Sequence, residues 1–176
     1  RGVDIERLPC VETDAEFDAL PFRQISSFHW ESDHPYRPFA YFKIAKRFNS
    51  LFVRLKCYEE SPRAVYSDRD DPVYEDSCLE FFCAPVFGDE RYINIECNSN
   101  GVFLSEIGEG KYDRKYIKTL TSLSPDVSAF DGKDENGIFW GVDIVLSADF
   151  VSALFGTDKE NIDLLNFNKW NNIKRN

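Results

Sequence analysis

The sequence of 176 residues contains no methionine and only two histidines, His29 and His34. Neither histidine belongs to an HExxH motif or has a partner at a metal-binding spacing, so a zinc hydrolase or a histidine-based catalytic site is not indicated. No apolar stretch approaches the length of a membrane span, and no signal-type apolar segment is present. We therefore expect neither a membrane anchor nor a histidine-based centre.

The cysteines are odd in number and lack CxxC spacing. They are Cys10, Cys57, Cys78, Cys83 and Cys97. Most of them lie inside strand-like runs, where a cysteine usually acts as a small apolar core residue. This pattern predicts reduced thiols and weakly favours a reducing, cytoplasmic compartment.

The composition predicts one all-β domain over residues 1–176. Hydrophobic residues make up 43% of the chain, and the 16 Phe, 8 Tyr and 3 Trp favour strands. The formal net charge of −10 repels phosphate backbones and anionic membrane surfaces. We therefore expect a neutral or basic ligand, with no nucleic acid and no membrane as partner.

Strand-like alternation is clearest between Pro72 and Glu106. A period of two places alternate residues on opposite faces of a sheet. On this basis one face of the first run carries Tyr74, Asp76, Cys78, Glu80 and Phe82. In the second run, Ile93, Ile95 and Cys97 suit a core, whereas the outward set is Tyr92, Asn94, Glu96 and Asn98.

The connection from Pro85 to Arg91 contains Gly88 and is short enough to make the two runs antiparallel neighbours. The carboxylates and amides of both runs then share one surface: Asp76, Glu80, Asn94 and Glu96. Such groups, together with tyrosine rings, suit a ligand rich in hydroxyls. The alternative is a solvated sheet face with no ligand.

This stretch resembles the family 9 carbohydrate-binding modules and their DOMON-like relatives. The resemblance covers about 35 residues specifically, through YEDSCLEFF from Tyr74 to Phe82 and the Y-x-N-x-E run from Tyr92 to Glu96. It implies a β-sandwich of the jelly-roll or immunoglobulin-like kind that binds mono- or oligosaccharides between two aromatic rings and requires no cofactor. A glycoside hydrolase is an implied partner.

The resemblance also implies roles for individual residues. Tyr74 stands at the position of a ring-stacking tryptophan, Glu80 at that of a sugar-binding glutamate, and Asn94 at that of a binding asparagine. Tyr92 and Glu96 complete the candidate site. The family's final segment, with its second tryptophan, has no counterpart here. Either Trp170 takes that place, or the chain is truncated before part of its site.

Two alternative functions compete with sugar binding. Asp76, Glu80 and Glu96 on one face place two carboxyl groups at a distance suited to a glycoside hydrolase, but a flat sheet lacks the enclosure that raises an acid's pKa. The second alternative is a haem-binding electron-transfer domain, which occurs among DOMON relatives and uses methionine and histidine as iron ligands. This chain has no methionine, and its two histidines are expected in loops, so this function is disfavoured.

The acidic loop before Pro72 is a candidate calcium site at Asp68, Asp70 and Asp71. It lacks the glycine and terminal glutamate of an EF-hand, so the prediction rests on charge and on the family resemblance.

Other segments predict a sandwich of nine to eleven strands with one short helix. The expected strands are 25–30, 38–48, 50–58, 116–123 and 138–146, and the run from Asp131 to Gly137 is expected to be a turn. Trp140 is assigned to the core. Ser147 and Gly156 are the expected caps of a helix over 148–155, and a helical turn is expected near 14–20.

Overall fold

The chain folds into an antiparallel β-sandwich, as the sequence predicted. The computed structural model describes residues 8–25, 39–162 and 173–175. Within these residues the strands are β1 (Arg23–Gln24), β2 (Ala40–Arg47), β3 (Ser50–Tyr58), β4 (Cys78–Cys83), β5 (Tyr92–Asn98), β6 (Phe103–Gly108), β7 (Lys115–Tyr116), β8 (Asp126–Asp134), β9 (Gly137–Ser147) and β10 (Ile173–Arg175). The first sheet has the order β1-β2-β3-β9-β8 and the second β10-β4-β5-β6-β7.

Two short α-helices accompany the sheets, α1 (Asp14–Ala19) and α2 (Ala148–Phe155). The predicted caps of α2 are confirmed, because Ser147 Oγ accepts a hydrogen bond of 3.1 Å from Phe150 N and Gly156 takes a left-handed conformation with φ of 66°. Three 3₁₀ helices cover Val73–Glu75, Ile117–Thr119 and Lys159–Asn161. No helix among the described residues is long and apolar enough to cross a membrane.

The main core lies between the inward faces of the two sheets. The alternation read from the sequence is confirmed in β3, β5 and β9: the buried set includes Leu51, Val53, Leu55, Ile93, Ile95, Cys97, Trp140, Val142 and Ile144. Apolar side chains at alternate positions of each strand therefore leave the opposite face of each sheet for other groups.

The predicted strand over residues 72–83 begins later than expected. Val73–Glu75 form a 3₁₀ helix, and β4 starts at Cys78. The chain is bent at this point because Ser77 N donates to Arg63 O over 2.9 Å, while Arg63 N donates back to Ser77 Oγ over 3.0 Å. Tyr74 therefore lies on the 3₁₀ helix and not on the strand that carries Glu80.

The predicted strand over residues 116–123 is wrong. Only Lys115–Tyr116 pair with β6, and the 3₁₀ helix Ile117–Thr119 follows at once. Leu120 N donates to Ile117 O over 2.9 Å, which closes a turn. Ile117 is buried, whereas Leu120 and Leu123 are exposed, so the apolar alternation does not mark a sheet face here.

The predicted turn over Asp131 to Gly137 is mostly strand. β8 runs to Asp134 and pairs with β9 along its whole length, and only Glu135 and Asn136 form the turn. β8 is an edge strand, where polar and charged residues are common because one side is not covered by a neighbour. Its composition therefore concealed its backbone pairing.

Several predictions fall on residues outside those described. These are the strand prediction beyond Ile25 and the residues His29, His34 and Trp170.

The first sheet depends on close contact at Gly141. A Cβ atom at this position would lie 2.2 Å from Phe130 Cζ and 2.3 Å from the backbone oxygen of Leu55. At Gly132 the nearest atom would be Phe139 Cζ, at 2.6 Å, and the three nearest atoms all belong to that side-chain ring and not to the backbone. We expect Gly141→Ala to lower the free energy of unfolding by about 1–3 kcal/mol or more, and Gly132→Ala by less. Urea unfolding of both variants measures this order, and a larger loss at Gly132 would contradict it.

The thiol prediction can be tested by labelling. All five cysteines are free; Cys10 is exposed and the other four are buried. Burial raises the pKa of Cys83 and Cys97, which makes these thiols unreactive as well as inaccessible. We expect a thiol reagent to modify one cysteine in the native protein and five after denaturation. Mass spectrometry that found stable disulfides in the native protein would contradict the prediction.

Candidate functional site

The outer face of the second sheet carries the polar residues that the sequence singled out. Antiparallel pairing of β4 with β5 sets Glu80 opposite Glu96 and Phe82 opposite Asn94. Pairing of β5 with β6 sets Glu106 opposite Asn94. Directly paired residues point to the same side of a sheet, so these side chains form one continuous patch. The predicted sharing of one face by Glu80, Asn94 and Glu96 follows from this register.

These residues are buried, although alternation alone predicted that they face out of the sheet toward solvent. Their exposed fractions are 5% for Glu80, 0% for Asn94 and 6% for Glu96. At one end of the patch the 3₁₀ helix Val73–Glu75 covers the sheet, with Val73 packed in a cluster with Cys78 and Leu104. The loops that follow β3 and β6 therefore cover part of the outer face of the second sheet.

The patch contains buried polar atoms that have no hydrogen-bond partner in the described part of the chain. Asn94 Nδ2 donates to Glu96 Oε1 over 2.8 Å. Asn94 Oδ1 and Glu96 Oε2 are buried and have no hydrogen-bond partner among the described residues. Burial raises the pKa of Glu96, although the hydrogen bond from Asn94 and the charge of Arg114 oppose the shift. Asn94 Oδ1 and Glu96 Oε2, two residues apart on the same face of β5, could therefore accept hydrogen bonds from a ligand.

Asp76 has a structural role. Its carboxylate accepts hydrogen bonds from Val65 N at 3.0 Å, Tyr66 N at 3.1 Å and Asn98 Nδ2 at 3.0 Å. Arg63 Nε lies 3.4 Å from the same carboxylate. Burial alone would raise the pKa of Asp76, but the hydrogen bonds from Val65, Asn98 and Tyr66 and the charge of Arg63 outweigh it and hold the pKa below its usual value. The sequence placed Asp76 on the ligand surface, whereas it fixes the covering loop to β5.

Aromatic rings lie at both ends of the patch. Tyr74 is 49% exposed on the 3₁₀ helix whose Val73 packs over the sheet. At the other end Phe82 and Tyr92 form a tilted pair with ring centroids 6.1 Å apart. Both rings of this pair are half-buried. The predicted Tyr74 and Tyr92 thus flank the polar groups, and Trp170 lies outside the described residues.

The acidic loop does not bring its three aspartates together as a set of ligands. Asp70 is tied to the edge of β6, because it accepts from Ser105 N over 3.0 Å, and Lys118 Nζ lies 3.0 Å from its other oxygen. Asp71 instead accepts from Asp68 N over 3.0 Å. Lys118 supplies at Asp70 the positive charge that a calcium ion would bring. The calcium site at Asp68, Asp70 and Asp71 stays a prediction.

One group in the described part of the chain has three potential metal-ligand atoms within 4.8 Å of one another: Cys78, Glu80 and Glu96. Burial and the neighbouring carboxylates of Glu80 and Glu96 raise the pKa of the Cys78 thiol well above its ordinary value. A metal ligand would have to lose the thiol proton, and the raised pKa opposes that loss.

The sequence of this β-sandwich matches a known protein family over most of its length. The model of carbohydrate-binding family 9 matches residues 10–149. The chain belongs to carbohydrate-binding family 9. The matched residues include strands β1 to β9, and therefore every strand of the second sheet except β10. The predicted function, non-catalytic carbohydrate binding on a β-sandwich, is confirmed at this level.

Several solved structures are similar to this chain. A protein from Bacteroides uniformis, described as carbohydrate-binding, superposes with a TM-score of 0.64 at 25% identity, over 86% of this chain and 74% of that one. Family 9 modules from Caldicellulosiruptor kristjanssonii in complex with glucose and with cellotriose have TM-scores of 0.45 each, at 15% and 14% identity. These two matches extend over 77% and 80% of this chain, and over 62% and 63% of the length of the respective modules. Among curated proteins, none matches the sequence.

The alternative functions are not favoured in this family 9 module. The hydrolase hypothesis needed two carboxyl groups out of Asp76, Glu80 and Glu96. The carboxylate of Asp76 already accepts hydrogen bonds from Val65 N, Tyr66 N and Asn98 Nδ2, which leaves Glu80 and Glu96 as the pair. The haem hypothesis needed methionine and histidine ligands, and the sequence contains no methionine. Both histidines lie outside the described residues, so the structure does not test them.

Two residues of the patch were missed by the sequence analysis. Glu106 follows from the alternation of β6, in which Leu104 and Glu106 share the outer face, so the pattern could have found it. Arg114 lies beyond the end of β6, with Nε 3.4 Å from Glu106 Oε2. Nothing in the local sequence signals this contact, because it depends on how the connecting loop folds back.

The role of Asp76 generates a pH-dependent prediction. Asp76→Asn keeps one acceptor oxygen but loses the charge, so we expect the free energy of unfolding to fall by about 1.5–3 kcal/mol at pH 7. The folded-state pKa of Asp76 is lowered. Its stabilisation is therefore present above the unfolded pKa of about 3.9 and is lost as pH falls toward the folded value. The difference between wild type and variant should shrink below about pH 4.

Urea unfolding between pH 3 and pH 7 measures this difference. The exposed Asp126 on β8 provides the matched control, and Asp126→Asn should leave stability nearly unchanged. A difference for Asp76→Asn that stays constant over the whole pH range would refute the assigned role.

Proposed function

We propose that the sugar of this family 9 module binds at the outer face of the second sheet, with its hydroxyls on Glu80, Asn94 and Glu96. The observation that carries the proposal is the pair of buried acceptors without a partner among the described residues, Asn94 Oδ1 and Glu96 Oε2. An unsatisfied buried acceptor costs about 1–3 kcal/mol. A ligand hydroxyl that donates to each atom recovers that cost, so the face is prepared for a hydroxyl-rich ligand.

The rings at the two ends of the patch support this placement. Sugars have apolar C–H faces that pack on aromatic rings, while their hydroxyls need hydrogen-bond partners around the rim. Tyr74 at one end and Tyr92 with Phe82 at the other supply such rings on either side of the carboxylates. Tyr74 is the exposed ring of the set, so it offers the most accessible stacking surface.

The charge of the patch favours a neutral saccharide. The patch carries three carboxylates, Glu80, Glu96 and Glu106, and the guanidinium of Arg114 lies near the last two. The chain as a whole has a formal net charge of −10, so we expect an acidic sugar to be disfavoured. The family 9 modules that were solved with glucose and cellotriose suggest these two sugars as first probes. A glycoside hydrolase partner, a calcium requirement and a reducing compartment stay predictions.

Binding is tested by calorimetry with a panel of neutral mono- and oligosaccharides that includes D-glucose, D-xylose, D-galactose, D-mannose, cellobiose and cellotriose. Glu80→Gln replaces a charged acceptor by a weaker one, so we expect the affinity to fall about 10- to 100-fold. Tyr74→Ala removes a stacking surface and should weaken binding without affecting the fold, because the ring is half exposed.

Glu80 is buried, so each variant is first checked for an unchanged cooperative thermal transition. Glu135→Gln, in the turn between β8 and β9 on the other sheet, is the matched control and should bind like wild type. Equal affinity of the wild type, Glu80→Gln and Tyr74→Ala for the same sugar would place the site elsewhere.

A further inference from the structure

The loop after β6 is shaped to return to the outer face of the second sheet. Asp113 accepts hydrogen bonds from Glu109 N over 3.1 Å and Gly110 N over 2.6 Å, which closes the loop. A Cβ atom on Gly108 would lie 2.8 Å from Arg114 Cα and 3.0 Å from Arg114 N. The absence of a side chain at Gly108 therefore lets the backbone of Arg114 lie directly against the end of β6.

This return places the guanidinium of Arg114 beside the polar patch. Its Nε lies 3.4 Å from Glu106 Oε2, and its Nη1 lies 4.0 Å from Glu96 Oε1, beyond hydrogen-bond distance. The side chain is only 13% exposed, and Nη1 is buried without a hydrogen-bond partner among the described residues. A buried, unsatisfied donor thus stands next to the unsatisfied acceptors Glu96 Oε2 and Asn94 Oδ1.

We propose that Arg114 is a sugar-contacting residue and that, with Glu96, it reads two adjacent hydroxyl groups of a neutral saccharide. The inference rests on the proposed function of the outer face. Arg114 Nη1 donates to the oxygen of one hydroxyl, and the neighbouring hydroxyl donates to Glu96 Oε2.

The chemistry of the two side chains makes this assignment directional. A guanidinium can only donate, a carboxylate can only accept, and a hydroxyl can do both. Two adjacent hydroxyls in opposite roles therefore fit the pair, whereas a sugar that lacks one of them leaves a buried group unpaired. We expect strong discrimination against such an analogue, because it loses a hydrogen bond and also leaves a buried polar group of the protein unpaired.

The test starts from the sugar of the same panel that binds most tightly. We expect Arg114→Met to weaken its binding about 10- to 100-fold. Arg114→Lys should restore only part of the affinity, because a lysine ammonium does not reproduce the planar geometry of the guanidinium. Arg23→Met removes an exposed arginine of β1 on the other sheet and is the matched control. It should bind like wild type.

Monodeoxy derivatives of that sugar separate a direct contact from a structural role. Removal of the contacted hydroxyl should weaken binding to the wild type about as much as Arg114→Met does, and should have little further effect on the Arg114→Met variant. Loss of any other hydroxyl should affect both proteins equally. A merely structural Arg114 would give the same losses in both proteins for every derivative.

A second variant tests the position of Arg114 without changing it. Gly108→Ala should displace the backbone of Arg114 and reproduce the same deoxy-sugar signature. Gly110→Ala is its milder control, since the added Cβ would meet only Asp113 Oδ1, at 3.3 Å. Sugar binding that is lost in Glu80→Gln but unchanged in Arg114→Met overturns this inference alone. Absence of binding by the wild type to every sugar of the panel overturns the proposed function and the inference together.

Discussion

The register between β4 and β5 is the constraint on which the site depends. It sets Glu80 opposite Glu96 on the outer face while Phe81 and Ile95 pair on the inner one. A slip of one residue would move the carboxylates into the apolar core and the aliphatic side chains out of it, so burial of the core specifies the arrangement of the polar patch. The same alternation therefore places the apolar core on one side of the sheet and the proposed ligand-binding groups on the other.

The covering loops make this polar face a candidate binding site. Asp76 holds the loop after β3 by backbone hydrogen bonds, and Arg114 arrives from the loop after β6 because Gly108 leaves space for it. Together they exclude water from Asn94 and Glu96, which strengthens electrostatic interactions there and makes each unpaired group costly. Under the proposed function, a saccharide that pairs these groups gains more than it would on a solvated sheet, because Asn94 Oδ1 and Glu96 Oε2 have no hydrogen-bond partner among the described residues.

Much of this could be predicted from the sequence, because alternation is a local property. The inward set of Ile93, Ile95 and Cys97, the core position of Trp140 and the shared face of Glu80 with Glu96 all follow from a period of two. The burial of that face could not be predicted, since it depends on loops that are distant in sequence. Alternation also suggested a strand at residues 116–123 where local hydrogen bonds form a 3₁₀ turn, and polar edge residues concealed β8.

The central claim is that sugar hydroxyls bind the acceptors of the outer face. The most direct measurement is a titration of the isotopically labelled protein with the best-binding saccharide, followed through the side-chain amide resonance of Asn94. We predict a large, saturable shift of this resonance with the same dissociation constant as calorimetry, while amides of the first sheet around Phe139 stay unchanged. Saturable shifts confined to the first sheet, with the Asn94 resonance unmoved, would contradict the account.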